Sequence, residues 1–216
     1  MDLTQSMQDY LKAILLLSEG GSAQTNDIAA QLKVNPASVT GMLKKLSELR
    51  LVEYERHRGV QLLPAGRKVA LEVLRHHRLL ELYLSEALGY DWDEVHDEAE
   101  KLEHHISEEF ENRISALLGD PKYDPHGDPI PTRDGKLPPV SRDRLSDVGV
   151  GESVAVRRVS DADRGTLRLL KEHGIRLGSL LHVMLHDAER SVMTLKYKGK
   201  LLNLPTSICR HIYVEH

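Results

Sequence analysis

The sequence predicts a mainly α protein with a small β module, and three observations predict it. Apolar residues recur at helical spacing over residues 4–49 and again over 67–118. Six prolines (121, 125, 129, 131, 138 and 139) then interrupt that spacing between residues 119 and 147, and alternating apolar residues dominate beyond. A chain of 216 residues is long enough for one to three small domains with real cores. Aromatic residues make up only 4%, so those cores must rest on Leu, Val, Ile and Ala.

The elements follow in order. Residues 4–18 place Met7, Leu11, Ile14, Leu15 and Ser18 on one helical face, and Gly20-Gly21 ends the helix. A second helix starts at Thr25 or Asn26, either of which can cap it, and runs to Leu32. After the turn Lys33-Val34-Asn35, Pro36 suits the first position of a helix reaching Leu49. That helix buries Val39, Met42, Leu43 and Leu46 and leaves Ser38, Thr40, Lys44 and Lys45 outside. Leu51–Arg56 and Val60–Leu63, joined by His57-Arg58-Gly59, read as a hairpin. Helix, turn, helix and hairpin is the order of a winged helix-turn-helix, whose second helix enters the major groove. Pro36, Ala37, Ser38 and Thr40 are small enough for close approach to base edges, while Lys44, Lys45, Arg56 and Arg58 suit phosphates.

Pro64-Ala65-Gly66 closes the wing. A helix is expected from Arg67 to Leu88, and a second, capped by Asp91 or Asp93, runs to about Leu118. Two such apolar stripes in a small domain suit a symmetric dimer. Residues 119–147 read as a Pro-rich linker. Strands at 152–160, 177–186, 191–197 and 210–215, with a short helix at 163–173, make a β module that suits a barrel. The expected domains are residues 1–70, 71–140 and 148–216.

Cys209 is the single cysteine, which excludes an internal disulfide and a Cys-based zinc site and suits a buried thiol. Residues 1–10 lack a signal-type pattern and no run approaches 18 apolar residues, so no membrane partner and a cytoplasmic setting are expected. Net charge is −4, but it is segregated. Residues 1–75 hold ten Lys/Arg against eight Asp/Glu, and residues 76–120 hold three against thirteen.

Within that acidic stretch His77 and Glu81, His96 and Glu100, and Glu100 and His104 are each four residues apart, with Glu103 beside them. Such pairs share a helix face and can hold a cation from one side. Imidazole with carboxylate suits first-row divalent metals. Neither HExxH nor the Glu-x-x-His of di-iron carboxylate enzymes occurs, nor does a Gly-rich phosphate loop, so no enzyme is expected.

The stretches SMQDYLKAI (6–14), VNPASVTGMLKKL (34–46), HHRLLE (76–81), VHDEAEKLEHHIS (95–107) and DPHGDPIP (124–131) resemble the diphtheria-toxin-repressor family of metal-dependent regulators, especially its manganese-responsive MntR branch. The resemblance implies a winged helix-turn-helix, a helical metal-binding dimerisation domain and a C-terminal SH3-like (FeoA-type) barrel. It places the regulatory metal site on Asp9, Glu100, Glu103 and His104, and an ancillary site on His77, Glu81 and His96. Asp161 and Asp163 are candidates to complete the latter. Lys12 stands where short manganese-type members carry a metal-binding glutamate, so their paired-ion cluster does not transfer. His76 and His105 point about 100° from the ligand face, which implies solvent or supporting roles.

Carboxylates in place of the sulfur ligands of iron-responsive relatives favour Mn(II), with Fe(II), Co(II), Cd(II) or Zn(II) as substitutes in vitro. The implied partners are palindromic operator DNA and a second copy of the chain, and the implied role is repression of metal-uptake genes. The alternatives are an iron-responsive regulator of the same family and a metal-independent winged-helix regulator.

Overall fold

The computed structural model describes residues 3–18, 21–55, 58–161 and 164–216. The chain divides into two compact units. Unit 1 comprises Met1–His77, Leu102–Glu111 and Pro131–Lys136, and unit 2 comprises Arg78–Lys101, Asn112–Ile130 and Leu137–His216.

Unit 1 begins with α1 (Gln5–Leu17), whose N-cap Thr4 accepts from the Met7 N–H. Its Met7, Leu11, Ile14 and Leu15 are buried at helical spacing, as the pattern required. Then come α2 (Thr25–Leu32), α3 (Pro36–Glu48) and the hairpin β1 (Val52–Glu55) with β2 (Gly59–Leu62), paired from Val52↔Leu62 to Glu55↔Gly59. Thr25 and Asn26 are helical rather than capping residues; Gln24 holds the cap position without a side-chain bond. Lys33 turns the chain with φ of 54°, and Asn35 Oδ1 accepts from Ala37 N–H at 2.8 Å to cap α3. Val39, Leu43 and Leu46 are fully buried, so the remaining faces of α3 stay outward.

The next helix, α4 (Pro64–Leu88), starts three residues earlier than the spacing suggested. Pro64 needs no N–H in the first turn, so what reads as punctuation is the helix start. Gly66 is required there, because a Cβ would lie 2.0 Å from the Leu51 carbonyl oxygen. The single helix expected up to Leu118 is two: α5 (Val95–Leu102) and α6 (Glu108–Leu117). Ser107 Oγ accepts from Phe110 N–H at 3.2 Å, and Glu108, Glu109 and Glu111 sit in the first turn of α6, where the helix dipole favours anions. Glu103, His104 and His105 therefore lie in a turn, and Glu100 and His104 do not share a helix face.

Unit 2 contains the antiparallel sheet β6-β5-β4-β3-β7, formed by β3 (Ser153–Val159), β4 (Leu180–Asp187), β5 (Val192–Tyr197), β6 (Lys200–Pro205) and β7 (Ile212–Glu215). With α7 (Arg164–Glu172) and α8 (Thr206–Cys209) it encloses a core of Val154, Val156, Leu167, Leu170, Leu181 and Met193. Cys209 lies in that core, and burial pushes its thiol up to about 12. The stretch expected to be a linker is packed: Ile130 and His126 are buried, and Val159 N–H donates to the His126 carbonyl at 2.9 Å. Gly127, at φ of 89°, permits this, since a Cβ would lie 2.2 Å from the Arg157 carbonyl oxygen. Among the described residues no helix is long and apolar enough to cross a membrane.

Candidate metal centre

In unit 1, Gln8, Asp9 and Lys12 lie on α1, and Glu103 and His104 lie in the turn after α5. His104 Nε2 is 2.7 Å from Asp9 Oδ1 and 3.2 Å from Glu103 Oε1. The other ring nitrogen, Nδ1, is 2.6 Å from Gln8 Oε1, an acceptor, so Nδ1 carries the proton and Nε2 presents a lone pair. Asp9 Oδ1 and His104 Nε2 are both buried without a hydrogen-bond partner. Two electron-rich atoms so close need positive charge beside them. A divalent ion fits: two carboxylates and an imidazole converge to within 4.8 Å, with no sulfur among them.

Glu103 is the hub. It is 1% exposed, and Lys12 Nζ lies 2.7 Å and 2.9 Å from its two oxygens, with His77 Nδ1 2.5 Å from Oε2. Burial pushes this carboxyl up, but the neighbouring His104, the hydrogen bond from His77 and the charges of His77 and Lys12 outweigh it and hold it well below the usual range. Burial pushes the Asp9 carboxyl up despite His104 and Lys12. Burial alone would lower the His104 pKa, yet Glu103 and Asp9 raise it, the titration counterpart of the same demand for positive charge.

His76 is buried rather than solvated. Its ring bridges the Glu103 carbonyl at 3.1 Å and Glu111 Oε2 at 3.2 Å, and Arg75 Nε holds Glu111 at 2.5 Å. His105 is exposed.

A second group lies wholly in unit 2. Glu81 of α4, His126 and Asp161 bring ligand atoms within 4.8 Å of one another. His126 Nε2–H donates to the Trp92 carbonyl at 2.6 Å, which leaves the Nδ1 lone pair facing Glu81 Oε2 at 3.8 Å, buried and without a hydrogen-bond partner. His96 Nδ1 is 3.2 Å from Glu81 Oε1 and 3.5 Å from Asp161 Oδ2. Asp124 Oδ1 accepts from the His126 and Asp128 backbone N–H groups, and burial, with the charges of Glu81 and Asp128, pushes its carboxyl up to about 8.

Of the residues expected from sequence, Asp9, Glu103, His104 and His77 belong to unit 1. Glu81, His96 and Glu100 belong to unit 2, where His96 Nε2 and Glu100 Oε1 are 4.0 Å apart. Asp161 joins the second group, and Asp163 lies outside the described residues. Sequence reasoning missed His126. The available signal was a histidine between Asp124 and Asp128 in a run rich in Pro and Gly, where its own spacing reveals no face.

On the winged helix, Pro36, Ala37, Ser38 and Lys44 are exposed on α3. Thr40 is half-buried, and its hydroxyl donates to the Pro36 carbonyl at 3.1 Å. The Arg58 side chain is 81% exposed and pairs with Glu55 at 3.0 Å, a surface pair worth little. Arg56 lies outside the described residues.

Three family models match in succession: the N-terminal DNA-binding domain of iron-dependent repressors at residues 2–60, their metal-binding and dimerisation domain at 63–132, and the FeoA domain at 144–216. The diphtheria toxin repressor of Corynebacterium efficiens is 31% identical over 225 residues, covering 99% of this chain and 96% of the relative. The HTH-type transcriptional regulator MntR of Bacillus pumilus is 40% identical over 116 residues, 53% of this chain and 80% of the relative. A solved manganese-dependent transcriptional repressor in complex with manganese superposes with a TM-score of 0.89 at 39% identity, covering 97% of this chain and 99% of that one. On near full-length similarity of both sequence and fold, the chain belongs to the diphtheria-toxin-repressor family of metal-dependent transcriptional regulators.

Proposed function

We propose that the protein is a cytoplasmic, homodimeric, manganese-responsive repressor that binds operator DNA through α3 and its wing and controls metal-uptake genes. One observation carries the reading: the unpartnered Asp9 Oδ1 and His104 Nε2 sit 2.7 Å apart, with Glu103 beside them, in the unit that also holds the winged helix. The regulatory ligands are Asp9, Glu103 and His104. The ancillary ligands are Glu81, His126 and Asp161, with His96 beside them. The domain division follows residues 1–70, 71–140 and 148–216.

A bound divalent ion would supply the positive charge that offsets repulsion between Asp9 and Glu103. Asp9 and His104 then tie α1 to the turn after α5, and α1 packs in one core with Val39, Leu43 and Leu46 of α3. Gln8 keeps the His104 Nε2 lone pair aimed at Asp9. Lys12 keeps Glu103 ionised, so this carboxylate need not lose a proton to act as a ligand. At the DNA end, Ser38 reads base edges, with Pro36, Ala37 and Thr40 shaping the approach, while Lys44, Arg56 and Arg58 meet phosphates.

Manganese in place of iron follows from the carboxylate and imidazole donors, and the repressor with manganese bound, similar over nearly the whole chain, supports it. A mobility-shift titration on the gene's own upstream region tests the reading. DNA affinity should rise at least about tenfold, roughly 1.4 kcal/mol of coupling, on saturation with Mn(II). Equal affinity in chelator and in Mn(II) would end it.

A further inference from the structure

The second ligand group depends on residues that touch no ligand atom. Asp161 stands three residues before α7, whose Leu167 and Leu170 are buried in the unit 2 core. The outer face of α7 carries Arg164, Arg168 and Lys171, spaced four and three apart on one side of the helix. Each meets an acid of residues 91–97. Arg164 pairs with Asp97. Arg168 Nε lies 3.2 Å from Asp93 Oδ2, and Lys171 Nζ lies 3.3 Å from Asp93 Oδ1 and 2.6 Å from Asp91 Oδ2.

These pairs are unequal. Arg164 and Asp97 are both well exposed, so their attraction is screened. The Asp93 side chain is only 7% exposed, and a carboxylate taken from water must be matched by cations or it costs several kcal/mol. Arg168 and Lys171 are those cations.

Between Asp91 and Asp93 stands Trp92. Its indole packs against the unit 2 core, lies 6.2 Å centroid to centroid from the His126 ring at 27°, and its carbonyl accepts from His126 Nε2 at 2.6 Å. The segment gripped by α7 thus fixes both the ring position and the tautomer of His126. Asp161, two residues beyond the end of β3, lies 3.5 Å from His96, itself 3.2 Å from Glu81.

We infer that Arg168 and Lys171 are positioning residues for the second ion: through Asp93 they join α7 to residues 91–97, and this joint, by way of Trp92, holds His126 in place opposite Glu81 and Asp161. The inference rests on the reading of that group as an ion site. The charge pairs of α7 then set the affinity of an ion that none of them contacts.

Equilibrium dialysis of the full chain against Mn(II) alone tests it, with folding followed by circular dichroism. His126→Ala is the reference and should bind one ion fewer than the wild type. Arg168→Glu with Lys171→Glu should weaken the same ion at least about tenfold and leave the first ion unchanged. Arg168→Lys with Lys171→Arg, which keeps the charges, should restore binding to within about twofold. Arg164→Gln, at the exposed pair, should cost less than either reversal.

Wild-type protein needs no substitution for a second arm. Raising NaCl from about 0.05 M to about 0.5 M should weaken the second ion more than the first, because the cations of the joint face solvent. A charge-reversed variant that binds the second ion as the wild type does, or equal salt dependence of the two ions, overturns the inference while the site stands. A full ion complement in His126→Ala overturns the reading of the site itself, and the inference with it.

Discussion

The two ligand groups solve the same electrostatic problem in opposite ways. In unit 1 the protein brings its own cation: Lys12 grips both oxygens of Glu103, and the carboxyl stays ionised although it is 1% exposed. In unit 2 the imidazoles of His96 and His126 face Glu81 at 3.2 Å and 3.8 Å, and burial, with the charges of Glu81 and Asp128, pushes the neighbouring Asp124 up to about 8. Glu103 is held in its charged form, whereas Asp124 is pushed toward its neutral one. The difference teaches that a buried acid can be kept charged by a lysine set against it, as Glu103 is by Lys12, or driven toward neutrality by burial among other acids, as Asp124 is.

Glu103→Ala gives the largest expected effect. It removes a ligand and also strands the Lys12 ammonium in a buried site, at about 3–5 kcal/mol of stability. His104→Ala separates these consequences. The Lys12–Glu103 pair survives, so thermal stability should change little while metal-stimulated DNA binding disappears. His126→Ala should leave most of that stimulation in place. Mobility shifts and melting curves on the three variants decide it, and equal regulatory losses in His104→Ala and His126→Ala would erase the ranking of the two groups.

Next in size is an acid effect at the brace behind the first group. The hydrogen bond from His76 comes first, with burial opposing and Arg75 adding, and together they lower Glu111 from 4.5 to about 2. A depressed carboxylate contributes stability above its unfolded pKa and loses it as pH falls through the folded one. Unfolding free energy should therefore drop between about pH 4.5 and about pH 2, by on the order of 2 kcal/mol from this residue after solvent screening. Glu111→Gln should flatten that part of the denaturant-derived stability curve and leave the curve above pH 5 parallel to the wild type.

Converting the first group toward the second is a smaller step. Lys12→Met deletes the internal cation, so Mn(II) no longer competes with an ammonium at Glu103. Affinity for that ion should tighten about tenfold, roughly 1.4 kcal/mol, while the metal-free protein loses stability. Unchanged dialysis curves would show that Lys12 is only a packing group.

Much of this was legible in the residues and some was not, for physical reasons. The winged helix was readable because Pro36, the Val39/Leu43/Leu46 spacing and the 57–59 turn are local signals, each acting within one or two turns of chain. Glu103 and His104 were readable by type, yet their helix was drawn too long. The cap at Ser107, with Glu108 and Glu109 after it, is equally local and was outweighed by a continuous apolar stripe. Asp9 rested on family resemblance alone, since one aspartate on a helix face announces nothing. His126 could not be read at all from spacing. Its role arises from the Trp92 carbonyl 34 positions away, a contact that only the folded chain makes.

The smallest effects test whether the DNA end is independent of both groups. Ser38 is exposed at the start of α3, whereas the Thr40 hydroxyl already serves the Pro36 carbonyl. Ser38→Ala should therefore cost about 1 kcal/mol or more on the cognate operator and almost nothing on random duplex, because a lost base contact is felt only where the right base is present. Thr40→Ala should cost less. The Arg58 side chain, held by an exposed pair to Glu55, can turn toward a phosphate, so Arg58→Ala should weaken all sequences alike and reduce the salt slope by about one. None of the three substitutions should alter the ratio of affinities with and without Mn(II), since none removes a ligand atom. A changed ratio for Ser38→Ala would mean that the reading helix and the metal groups form one cooperative unit rather than a sensor driving a separate reader.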